Sequence, residues 1–131
     1  MKVGVISDGL EGMAAAQASG DLPAVDSATC NVVTPGPEPN LPTDPLAGAE
    51  GTAMLEIVHD LAPGAALGFA TAFTSAAQFA QNIIDLRGDG CDVIVDDVLY
   101  LDESPFQDNA IAAAVNSVTA AGALYFSSAG N

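Results

Sequence analysis

Short aliphatic and β-branched runs alternate along this chain with segments whose apolar positions recur at helical spacing. Residues 2–7 (KVGVIS) predict a strand closed by turn chemistry at Asp8-Gly9, and residues 9–20 a helix ending at Gly20. A second strand is predicted over 28–33 (ATCNVV). Residues 34–48 carry five of the eight prolines and predict an exposed loop. From Glu50 to Leu61 the stripe Met54, Ile57, Val58 and Leu61 predicts a helix with one buried face, stopped by Pro63-Gly64. Glu50 lies one turn before Met54 on that same stripe, an odd place for a carboxylate. The pattern then gives a strand over 66–73, a helix over 75–90, a strand over 91–97, a helix over 105–122 and a strand over 123–128.

Strands apolar on both faces and separated by helices imply crossovers and a parallel sheet. The fold class expected is α/β: one three-layer domain, a mostly parallel five-stranded sheet with helices on both faces, Rossmann-like in layout. No internal repeat or second domain is visible. In such sheets ligands bind beyond the carboxyl ends of the strands. Ser7-Asp8, Asp96-Asp97 and the run Ser127 to Asn131 fall at those ends. Glu50 joins them, because a crossover helix begins at that same edge. One rim thus gathers most of the polar residues that the fold does not itself explain.

Charge narrows the partners. Two basic residues against 17 acidic ones give a net charge of −15, which argues against nucleic acid or an anionic membrane surface. It suits a soluble protein of a salty medium, or a binder of cations. No apolar run reaches the length of about 18 residues that a membrane span needs, and Met1 leads almost directly into a strand without a secretory leader. Cys30 and Cys91 lack metal-ligand spacing and read as two buried free thiols.

The stretches KVGVISDG, EGTAMLEIVHDLAPGA and CDVIVDDVLYLDESPFQDNAIAAAVNSVTAAGALYFSSAGN resemble the N-terminal portion of a subtilisin-like (subtilase) catalytic domain. In that family the first strand ends in the catalytic Asp, a helix opening with His-Gly-Thr carries the general base, and a strand ending in Ala-Gly-Asn supplies an oxyanion-hole Asn. Here the Asp position falls on Ser7, with Asp8 next to it, and the His position on Glu50. Asn131 matches the oxyanion Asn, a donor worth about 2.7–4 kcal/mol where measured. Asp97 falls near a cleft-lining position. The related sedolisins use a Glu on this helix with an Asp one turn later. That later position is Met54 here, so Asp8 or Asp97 would have to orient Glu50.

The resemblance implies a hydrolase acting on peptide or small ester bonds, extracellular as the family is. The Gly-Thr-Ser segment of the nucleophile is not in the sequence, so a truncated form with at most weak esterase activity is expected. A sheet stopping at the fifth strand would expose an edge, hence an expected homo-oligomer. Two other readings stay open: a non-catalytic binding or structural domain, and an acidic module holding calcium on Asp8, Glu50 and Asp97. No other cofactor is implied. Asp96-Asp97 with Asp102 and Glu103 match no defined calcium loop, and read as a solvated turn. Ser127 and Ser128 lack a histidine to activate them. His59 reads as a helix-surface or packing residue, away from the strand ends.

Overall fold

The computed structural model describes residues 1–25, 48–73, 75–101, 103–104 and 106–130. They form β1 (Lys2–Ser7), α1 (Met13–Ser19), α2 (Glu50–Leu61), β2 (Ala66–Thr71), α3 (Ala76–Gly88), β3 (Val93–Asp96), α4 (Ala110–Ala120) and β4 (Leu124–Ser127). The four strands form one sheet in the order β2-β1-β3-β4, and every pairing is parallel. The predicted strand over 28–33, the loop over 34–47 and Cys30 lie outside the described residues. The other four predicted strands are all present.

Strand alternation divides the core into two layers. Val3, Val5, Leu67 and Phe69 point to the side covered by α1 and α2, where Leu55 and Ala16 meet them. Ile6, Ala70 and Ile94 point to the other side, against Phe79, Ile83 and Leu86 of α3 and Ala114 and Val118 of α4. The chain is therefore wound in two directions from β1. The β1-to-β2 connection carries the helices of one face, and α3 then crosses to the other side of β1 to reach β3. The point where the winding reverses lies between β1 and β3, which is where an open α/β sheet leaves a crevice at its carboxyl edge.

The helix α2 is present over the predicted residues but is rotated about its axis. Leu55 is fully buried, while Ile57 is 59 % and Leu61 83 % exposed. The inward face runs through Gly51, Thr52 and Leu55, flanked by Met54 and Val58. The cause is Gly51. A Cβ there would collide with the Gly9 carbonyl oxygen and the Phe69 ring, so glycine alone lets the first turn of α2 settle onto the turn after β1. Close approach, and not the apolar stripe, sets the phase of the helix. Glu50, one residue earlier, is turned out to solvent at the rim.

Helix α4 starts at Ala110 with Asn109 as its N-cap, five residues after the predicted start. At the far edge of the sheet, β4 pairs among the described residues with β3 alone, and its Leu124 and Phe126 are more than half exposed.

Candidate functional site

The parallel register sets Ile6 beside Asp96 at the ends of β1 and β3. One residue further along each strand come Ser7 and Asp97, and these two side chains meet. Ser7 is fully buried, and its Oγ donates a hydrogen bond to Asp97 Oδ2 at 3.1 Å. Glu50 comes to the same aspartate from the N-terminus of α2, close enough for the Asp97 carboxyl to act on it more strongly than any other group. Asp97 Oδ1 is buried and receives no N–H or O–H donor among the described residues. Two carboxylates cannot share a hydrogen bond without a proton between them. Protonation of Glu50 relieves the repulsion between the two groups and gives Asp97 a donor.

The electrostatics agree. The Glu50 pKa is raised above its ordinary value of 4.5, first by the negative charge of Asp97, then by partial loss of hydration, then by the carboxyl–carboxyl hydrogen bond and the charge of Asp8. The positive end of the helix dipole favours an anion at this position, but the two neighbouring aspartates outweigh it.

Asp8 has a different task. Its Oδ1 accepts from the backbone N–H of Gly9 at 2.5 Å and of Gly51 at 3.0 Å. Ala49, the N-cap residue of α2, makes no side-chain cap. Asp8 caps the helix from another element instead, while its own carbonyl accepts from Thr71 Oγ1 at 3.2 Å. Of the two candidates for orienting Glu50, the structure brings Asp97 into contact and commits Asp8 to holding the frame.

The remaining sequence candidates divide. Asn131 lies outside the described residues, as does Asp102. His59 is half-buried in the last turns of α2, at the opposite end from Glu50, and its Nδ1 has no partner among the described residues. Cys91 is a buried free thiol, pushed up to about 11 chiefly by burial. Among the described residues no group of three or more His, Cys, Asp or Glu side chains is arranged to hold a metal ion.

Asp96 and Asp97 are a pair in the sequence, and the structure separates them. Asp96 points to the α4 side of the sheet and is 4 % exposed. It accepts from Tyr125 Oη at 2.5 Å, Ser127 Oγ at 2.9 Å and the Val98 N–H at 3.2 Å. Burial, then the Asp96 charge, push the Tyr125 phenol well above its ordinary value, so it stays a donor. The signal was present in the strand period: residues 93 and 95 face one way and 94 and 96 the other, so consecutive aspartates at the strand end must diverge.

Compared with known proteins, the chain matches no family model, and the curated proteins give no match.

Proposed function

We propose that the crevice between β1 and β3 is a hydrolytic site of subtilase descent acting on acyl bonds, peptide or small ester. In this reading Glu50 is the general base, Asp97 orients it and shares its proton, and Ser7 fixes Asp97. Asn131 takes the place of the oxyanion donor by its resemblance to the family's Ala-Gly-Asn motif. The observation that carries the reading is the chain of contacts from Ser7 through Asp97 to Glu50 at the reversal point of the sheet.

The chemistry follows from that chain. A carboxylate near its own pKa can take a proton from an attacking hydroxyl and return it to the leaving group. Ser7 is fully buried behind Asp97, and Ser127 donates to Asp96 on the other side of β3 from Glu50. The nucleophile that Glu50 itself can activate at this rim is a water molecule, which suits weak turnover of activated esters better than of peptides.

The test is hydrolysis of a short-chain p-nitrophenyl ester, beside casein, by the wild type, Glu50→Gln and Asn131→Ala. Ester turnover is expected in the wild type and should fall about a hundredfold in each variant. A silent wild type, or a Glu50→Gln variant as active as the wild type, would remove the catalytic assignment and leave a binding domain.

Self-association belongs to the same proposal, since the uncovered face of β4 with Leu124 and Phe126 offers a second copy an apolar edge. Sedimentation at micromolar concentration should show a species larger than the monomer, and a lone monomer peak would exclude it.

A further inference from the structure

On the α4 side of the sheet, beneath the segment that leaves β3, lies a cavity of about 440 Å³. Phe79, Val98, Tyr100, Ile111 and Val115 give it apolar walls. Most of its polar groups are acidic or hydrogen-bonded to an acid, while Tyr100 Oη donates to the Ala72 carbonyl. The buried Asp96 lines it together with Tyr125 and Ser127, and so do Glu103 and Asp108.

We propose that this cavity is a binding site for an organic cation with an apolar body, an alkyl- or arylammonium group. The site stands apart from the Glu50–Asp97 pair, which faces the other side of β3, and does not depend on the hydrolase reading.

Three observations lead there. A mostly apolar pocket with a few convergent polar groups is the usual form of a small-ligand site, and it lies here at the carboxyl edge of a parallel sheet. Second, Asp96 is a buried carboxylate that retains acceptor capacity. Its Oδ1 takes two donors and its Oδ2 takes one, out of about four lone-pair sites in all. Third, the basic side chains are at the other end of the molecule. Arg87 donates to the carbonyls of Cys91 and Ala121 and lies 3.7 Å from Asp92. Lys2 donates to the Asp89 carbonyl. All of these lie at the amino edge of the sheet, so the carboxyl edge, in a chain of net charge −15, draws cations and repels anions.

The cavity also supplies its own probe. The chain has two tyrosines and no tryptophan, and both Tyr100 and Tyr125 line this space. The experiment titrates the chain with hexylammonium, hexanoate and 1-hexanol, following tyrosine emission and the melting temperature. Hexylammonium should change the emission and raise the melting temperature, with a Kd about tenfold or more below those of hexanol and hexanoate. Ala112→Phe, which fills the cavity from α4, should abolish the response. Asp108→Asn, an exposed change that spares the packing, should weaken hexylammonium about threefold and leave hexanol unchanged. Glu50→Gln should bind like the wild type, which separates this site from the proposed hydrolytic one. Equal binding of hexanol and hexylammonium would reduce the cavity to a plain apolar hollow and overturn the proposal. So would no response in the wild type, or unchanged binding by an Ala112→Phe chain that circular dichroism shows to be folded.

Discussion

Gly51→Ala is expected to lower the stability of the chain by about 3 kcal/mol or more, a fall in melting temperature upwards of about 10 °C. Helix propensity alone forecasts the opposite sign, since alanine inside a helix is better than glycine by about 1 kcal/mol. Packing decides the outcome. The added methyl would press on the Gly9 carbonyl oxygen, which is backbone, and on the Phe69 ring, which is fully buried between β2 and α2. Neither can yield without lifting the first turn of α2 from β1. That movement would also strip Asp8 of the Gly51 N–H and draw Glu50 away from Asp97. Gly88 is the control: it is also helical, and a Cβ there would meet nothing within 4 Å, so Gly88→Ala should melt no lower than the wild type. Thermal unfolding by circular dichroism reads both. If Gly51→Ala melts with the control, α2 does not dock on the β1 turn as described.

The same glycine shows what the sequence could and could not convey. Strands buried on both faces announce themselves as runs such as VGVI and VIV, and the helices between them dictate a parallel sheet. The α/β layering was therefore legible. The rotation of α2 was not, because glycine carries no hydrophobic signal and its close approach to Gly9 depends on a distant part of the chain. Reading Ile57 and Leu61 as the buried face counted apolar side chains when a missing side chain was the contact. The rim itself was legible as a set of polar strand ends. The link between Asp97 and Glu50 was not, since it requires β3 to lie beside β1, and strand order is not written in any local pattern. The divergence of Asp96 from Asp97 was within reach, because it follows from the period of the strand alone.

Ester hydrolysis, where it occurs, is expected to rise with pH through the raised pKa of Glu50, falling about tenfold for each pH unit below it, because a base must be ionised to accept a proton. Asp97→Asn removes the largest cause of that raised value, so the rising limb should move to lower pH even as the maximal rate drops. A residue that merely supported the fold would lower the rate and leave the limb in place. Stability gives an independent reading of the same pair. Glu50 binds its proton more tightly folded than unfolded, where its value is near 4.5. Its favourable contribution is therefore complete below that value and is lost as the pH rises through the folded pKa. Above that pKa the ionised Glu50 is held beside Asp97 and Asp8 at a cost. Glu50→Gln keeps a donor for Asp97 without the charge, so it should melt above the wild type near pH 7, with the difference vanishing below about pH 4. Salt should narrow the gap, since the rim is open to solvent and its repulsion is screened. A Glu50→Gln curve parallel to the wild type at every pH would mean that Glu50 and Asp97 do not share a proton. The catalytic assignment would then lose its base, whatever activity the chain retained.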